Sequence, residues 1–283
     1  MKPDARQIGK LRKIEKIKRL LLKIGLGMRD GYWLSRVFKY LPLPYIWKVH
    51  LNATEKPSYA FGLYSAAFQA KMLGLSRITV IEFGVASGKG LRAMENIAAR
   101  LENIFEIKFD VVGFDVGSGL IDTGDVRDLV YWFVPGVFKV NTDDVRRSLK
   151  RSEYIVGEIS QTLTSFTETL SSPIGFISFD FDHYTATVSA MKILNVSSDH
   201  RLPRVICYLD DTIGISDLTL PCDGVGEALA VHEFNQLRAP NGIFKVEGLR
   251  HKRAIPAYWN DQMYAFHDFD HPDYNTAINP TVS

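Results

Sequence analysis

The stretch Ile81-Glu82-Phe83-Gly84-Val85-Ala86-Ser87-Gly88-Lys89-Gly90 carries the first residues whose types and spacing suit chemistry. Glycines at 84, 88 and 90 let a chain turn tightly after a strand and bring a ligand against its backbone. The helix opened by such a turn offers unpaired N–H groups at its start. A dinucleotide turn is spaced G-x-G-x-x-G and cradles a pyrophosphate. Here the spacing is G-x-x-x-G-x-G, and Glu82 stands two positions before the first glycine. A carboxylate at that point repels a diphosphate and attracts a cationic amino group. S-adenosylmethionine has an ammonium, a sulfonium and one carboxylate, and no phosphate, so it suits this turn better than NAD does. Asp115 ends the apolar run Val111-Val112-Gly113-Phe114, where a carboxylate accepts ribose hydroxyls. The expected cosubstrate residues are Glu82, Gly84, Ser87, Gly88 and Asp115, with Asp180 from the next acidic group.

Two such groups follow, Ser178-Phe179-Asp180-Phe181-Asp182-His183-Tyr184 and Tyr208-Leu209-Asp210-Asp211-Thr212, each at the end of an apolar run. Ligands of an open α/β sheet sit beyond the carboxyl ends of its strands. Asp180, Asp182, Asp210 and Asp211 are therefore expected on the rim that holds Glu82 and Asp115. Crowded carboxylates repel one another, and a hard divalent cation is the simplest device that keeps them ionised. All-oxygen donors favour Mg²⁺, Ca²⁺ or Mn²⁺ over zinc. Three of these four are expected as metal ligands, whereas capping of the following helix or turn is the alternative use of Asp182 and Asp211. A metal so held lowers the pKa of a substrate hydroxyl and orients it. His183, beside Asp182, is placed for proton transfer. A further run, His267-Asp268-Phe269-Asp270-His271, reads as a polar strand end on the surface, with the acceptor pocket or a metal as its alternative role.

In their order, Glu82-Phe83-Gly84-Val85, Asp115 with Gly119-Leu120, Asp180-Phe181-Asp182-His183-Tyr184 and Asp210-Asp211 resemble the macrocin (TylF-type) O-methyltransferases. The resemblance runs over roughly residues 78–237 and takes in Glu227, Ala228, Val231 and Phe234. It implies a metal-dependent class I methyltransferase acting on hydroxyls of natural-product sugars. It also implies Asp180, Asp210 and Asp211 around Mg²⁺, Asp182 as general base, and Glu82 and Asp115 on the cosubstrate. Three departures bear on the acceptor: Phe181 where the family has glycine, Thr185-Ala186-Thr187 after the tyrosine, and Ser197–Pro203 without a glycine turn.

Residues so placed need a frame of strands and helices. Apolar, β-branched runs at Ile78–Phe83, Phe109–Phe114, Tyr154–Val156, Ile174–Phe179 and Val205–Leu209 suit parallel strands buried on both faces. Helical segments lie between them at Gly90–Leu101, around Leu163–Leu170, at Thr185–Leu194 and at Gly226–Leu237. Strand-helix alternation predicts an α/β, Rossmann-like, doubly wound, mostly parallel sheet. Gly242–Leu249 and Gln262–Phe269 read as an antiparallel edge pair. Residues 56–283 are assigned to this domain and residues 1–55 to an N-terminal helical extension. Within the extension Ile8, Leu11, Ile14, Ile17, Leu21 and Ile24 form one apolar face among seven lysines and arginines from Lys10 to Lys23. Packing on the same chain or on a second subunit is the expected use of that face, and peripheral contact with anionic lipid the alternative.

Bulk properties narrow the classes further. A chain of 283 residues, 46% hydrophobic, is long enough for one full core. A net charge of +2 carries no general signal for nucleic acid. Two cysteines, Cys207 and Cys222, make neither a disulfide framework nor a zinc cluster, which fits a cytoplasmic location. The expected partner is a small-molecule or saccharide acceptor. A non-catalytic nucleoside-binding protein and, less well supported, a nicotinamide-dependent oxidoreductase are the other readings.

Overall fold

The computed structural model describes residues 33–214, 216 and 218–279. The expected amphipathic helix at residues 8–24 lies outside them. Two short helices, α1 (Trp33–Tyr40) and α2 (Tyr45–His50), lead into α3 (Pro57–Met72). The chain then alternates: β1 (Arg77–Phe83), α4 (Lys89–Phe105), β2 (Lys108–Asp115), α5 (Thr142–Ser148), β3 (Glu153–Val156), α6 (Ile159–Thr169), β4 (Ile174–Phe179), α7 (Tyr184–Met191), β5 (Arg201–Leu209) and α8 (Gly226–Arg238). It ends with β6 (Gly242–Lys245), α9 (Leu249–Lys252) and β7 (Met263–His267).

The strands form one seven-stranded sheet in the order β3-β2-β1-β4-β5-β7-β6. The first five are parallel, and β7 runs antiparallel to both β5 and β6. This is the expected Rossmann-like, doubly wound arrangement. Strand order reverses at β1, which has β2 on one side and β4 on the other, so a crevice opens beyond their carboxyl ends. β6 and β7 do pair antiparallel, but β7 is inserted against β5 and is an interior strand.

Alternation along the strands divides two cores. Ile78 and Val80 face α3 and α4, packing with Leu63, Met94 and Ile97. Ile81 and Phe83 face the opposite side, with Leu163 and Phe166 of α6, Met191 of α7 and Val231 of α8. Glu82 continues the Ile78–Val80 face and therefore points towards α3. Among the described residues no helix is long and apolar enough to cross a membrane.

The reversal at β7 also disposes of the His267–His271 cluster. Arg204 pairs with His267 and Tyr208 with Met263, so His267 lies at the end of the sheet away from the β1–β4 crevice. Asp268 is not a solvated strand end: it is 1% exposed and accepts from Arg201 Nε at 2.9 Å and Nη2 at 2.7 Å. His271 Nε2 lies 3.1 Å from the Ser198 carbonyl oxygen.

Helix α3 lies against the middle of the sheet, and its close approach depends on Gly62. A Cβ there would fall 2.2 Å from Cε2 of Phe176, a fully buried ring on β4. Alanine gains up to ~1 kcal/mol of helix propensity over glycine, whereas overpacking a core costs about 1–3 kcal/mol. Gly62→Ala is therefore expected to lower the urea midpoint of unfolding, by about 1–2 kcal/mol in stability. A midpoint equal to or above that of the parent chain would show that Phe176 yields without cost.

Candidate active site

The crevice is a cavity of about 690 Å³ beyond the ends of β1, β2, β4 and β5. Glu82, Gly84, Ser87, Asp115, Asp180, Asp182, His183, Asp210 and Asp211 all line it. Gly88 sits just behind the wall as the N-cap of α4, at φ 74°.

Glu82 is 1% exposed and pairs in register with Gly113 on one side and Ser178 on the other. Tyr59, on α3, donates its hydroxyl hydrogen to Glu82 Oε1 at 2.5 Å and accepts from Ser178 Oγ at 2.8 Å. Glu82 Oε2 is buried and has no hydrogen-bond partner. Burial raises the Glu82 pKa to about 7, while the Lys56 ammonium and the Tyr59 hydrogen bond work in the opposite direction. The glycine turn makes room for this acid. A Cβ on Gly90 would lie 1.8 Å from Glu82 Oε1, and one on Gly84 would lie 1.9 Å from the Asp180 carbonyl oxygen. Asp115, at the end of β2, holds the same turn, accepting from Ala86 N and Gly117 N, both at 2.6 Å. Ala86 takes φ 44° under that restraint, a left-handed conformation unusual for a side-chain-bearing residue.

The β4 and β5 acids line one cavity and are close enough to influence one another. Asp182, at φ 63°, donates its N–H to Asp211 Oδ2 at 3.0 Å, and Asp211 donates its own N–H to Glu227 Oε2 at 3.0 Å. Asp210 Oδ1 accepts from Tyr208 Oη at 2.5 Å. Asp180 lies 3.9 Å from the Lys56 ammonium. The expected metal triad is not assembled. Among the described residues no three His, Cys, Asp or Glu side chains gather as a metal site; Asp211 accepts from the Asp182 backbone and Asp210 from Tyr208.

Burial and then mutual repulsion set the proton affinities. Asp180 is raised well above the usual carboxylate range by burial and by Asp210. Asp182 is raised to about 7 by burial and by Asp180, with a hydrogen bond from Asp211 pulling the other way. Burial raises Asp211 and Glu227 as well, and each is raised further by neighbouring acids, Asp182 first for Asp211 and Asp211 for Glu227.

His183 precedes α7, and its Nδ1 lies 4.0 Å from Asp128 Oδ2. Its Nε2 is buried without a partner. Asp128, fully buried, caps α7 from a distant segment by accepting from Thr185 N at 2.8 Å and Thr185 Oγ1 at 2.9 Å. Phe181 stacks on Phe83, with ring centroids 5.6 Å apart. Sequence reasoning missed Lys56, Tyr59 and Asp128. Each reaches the site from far along the chain, and none stands in a local pattern that signals it.

No family model matches this chain, and no curated protein matches it. Solved structures do. The crystal structure of CalS11, a calicheamicin methyltransferase, is 17% identical with a TM-score of 0.49, covering 85% of this chain and 91% of its own. An apo structure of CalS11, named as a TDP-rhamnose 3'-O-methyltransferase, is 17% identical with a TM-score of 0.43, covering 85% and 93%. The plantazolicin methyltransferase BamL, in complex with a desmethyl analogue and SAH, is 10% identical with a TM-score of 0.35, covering 66% and 64%.

Glu227 allows the cost of this acidic interior to be measured. Its folded pKa is raised, so the folded chain holds a proton that the unfolded chain releases near pH 4.3. Folding stability contributed by this group must then fall as pH rises above that value. Glu227→Gln keeps an acceptor for the Asp211 N–H and carries no charge. Its melting temperature relative to the parent chain is expected to climb steadily between pH 5 and pH 8. Parallel curves over that range would mean that Glu227 is not titrating in the fold.

Proposed function

We propose that this chain transfers a methyl group from S-adenosylmethionine to a hydroxyl of a small-molecule or saccharide acceptor. The observation that carries the reading is Glu82 Oε2, a buried acceptor with no partner in the wall of a cavity. Leaving such an atom unsatisfied costs about 1–3 kcal/mol, and the ammonium of the cosubstrate supplies the missing donor. Asp115 sits one strand away, with each carboxylate oxygen retaining a lone pair beyond its backbone hydrogen bond, and suits the ribose hydroxyls. The carboxylate at Glu82 and the G-x-x-x-G-x-G turn disfavour a pyrophosphate and so NAD.

Bound S-adenosylmethionine supplies an electrophilic methyl group on sulfur, displaced in line by the acceptor oxygen. The chain contributes proximity, a water-poor cavity and a base. Asp182 is that base. Its pKa of about 7 is matched to the task, since a general base works best when its pKa lies near the operating pH. His183, with Nε2 unpartnered at the same wall, is the second group able to take a proton. Leu120, Ile121 and Phe138 leave an apolar wall on the other side of the cavity for the body of the acceptor. No step is assigned to Mg²⁺: among the described residues no three His, Cys, Asp or Glu side chains are gathered for it.

Calorimetry and kinetics test this together. S-adenosylhomocysteine is expected to bind, and Glu82→Gln to weaken it at least tenfold, or ~1.4 kcal/mol. The affinity should fall as pH is lowered through about 7, where Glu82 takes up its proton. Asp182→Asn should reduce turnover by roughly 10²–10⁴-fold while leaving that affinity intact, since asparagine tolerates the left-handed backbone at this position. No heat from S-adenosylhomocysteine with the folded parent chain would end the reading.

A further inference from the structure

Lys56 is a cation at the edge of the cavity that nothing so far employs. It immediately precedes Pro57, which starts α3, and its side chain is 28% exposed. Its ammonium lies 3.8 Å from Glu82 Oε1 and 3.9 Å from Asp180 Oδ2, beyond hydrogen-bond distance of either, and 3.7 Å above the centre of the Tyr59 ring. The ring position is itself held by the Tyr59 hydrogen bonds to Glu82 and Ser178. A cation is thus placed next to a buried anion whose second oxygen is free. That pairing complements a zwitterionic α-amino acid, in which ammonium and carboxylate are separated by a single carbon. An ammonium satisfies Glu82 Oε2, and the attached carboxylate falls beside Lys56.

We propose that Lys56 binds the carboxylate of the methionine moiety of the cosubstrate, so that Lys56 and Glu82 together clamp its amino-acid end. The proposal rests on the cosubstrate reading given above and adds a residue to it. The clamp explains how a carboxylate-bearing ligand enters a crevice already lined by Glu82, Asp115, Asp180, Asp182, Asp210 and Asp211: without a local cation its own negative charge would be repelled. Lys89 also borders the cavity, but it is exposed at the start of α4 and makes no ion pair with Glu82 or Asp180.

Two ligands separate the carboxylate from everything else. S-adenosylhomocysteine has both charged groups, whereas its decarboxylated analogue keeps the adenosine, the thioether and the amine. Calorimetric titration of the full chain with each is expected to show that Lys56→Met weakens S-adenosylhomocysteine at least tenfold. The decarboxylated analogue should lose only what Glu82 loses when its neighbouring cation is gone, several-fold less than S-adenosylhomocysteine loses, and Lys56→Arg should restore most of the loss for both. Because the analogue still needs Glu82 and a folded cavity, it reports both a misfolded variant and an effect exerted only through Glu82. Equal losses for the two ligands would overturn the clamp, as would an unchanged affinity for S-adenosylhomocysteine in Lys56→Met, or a tenfold loss in Lys89→Met instead. A parent chain that binds neither ligand would remove the cosubstrate reading itself, a result distinct from these.

Discussion

A carboxyl group sunk into the end of a parallel sheet is costly, and much of the surrounding architecture answers the cost of Glu82. An acid in a low-dielectric interior must be hydrogen-bonded, paired or protonated. Here one oxygen is held by Tyr59, a lysine stands near, and the remaining oxygen is buried without a partner. The requirement reaches outward. Tyr59 can reach Glu82 only because α3 lies close to the sheet, and α3 lies close only because Gly62 leaves space for Phe176. The turn after β1 must also stay free of side chains, since a Cβ at Gly90 would occupy the place of the carboxylate. The glycine spacing is therefore as much about volume for an acid as about turning the chain.

This constraint shows why some of the molecule was legible in the sequence and some was not. The five parallel strands were readable because each is a short apolar run bounded by turns, and burial on both faces leaves no other use for such a run. The strand-end acids were readable for the same reason: a charged residue directly after a buried run has to emerge at the carboxyl rim. Helix α3 left no comparable sign. Ala60, Leu63, Ala66, Ala67 and Ala70 are buried together with Ser58 and Gln69, while the half-buried face carries Phe61, Tyr64 and Phe68, so no polar stripe gives the segment a period. Tyr59 and Lys56 belong to that segment, and their partners stand far along the chain.

The three expected metal ligands are not gathered as a metal site among the described residues. Position at a strand end says where a residue emerges and nothing about where its side chain turns. Asp210 and Asp211 are adjacent, yet one takes the Tyr208 hydroxyl and the other the Asp182 backbone, because the chain turns into a 3-10 segment at that point. Asp128 was invisible for a related reason: it serves α7 as a cap usually does, but it comes from another segment and so breaks the local capping pattern.

The acids that are left constitute a tuned set rather than a surplus. Burial and the charge of Asp180 push the Asp182 pKa up, and the hydrogen bond from Asp211 pulls it back, so that it settles at about 7. Asp211 can supply that hydrogen bond because its own burial, together with Asp182 and Asp210, favours its protonated form. Glu227, buried behind it and itself held in its protonated form, anchors the Asp211 backbone. The left-handed backbone at Asp182 is the conformational part of the same arrangement, since it presents the Asp182 N–H to Asp211. Glu82 reaches the same range by another route, its burial offset by Lys56 and Tyr59, whereas for Asp182 the offset to burial comes from a neighbouring acid. Burial and the Asp180 charge, both costly to the fold, are thus what would make Asp182 a usable base in the proposed reaction.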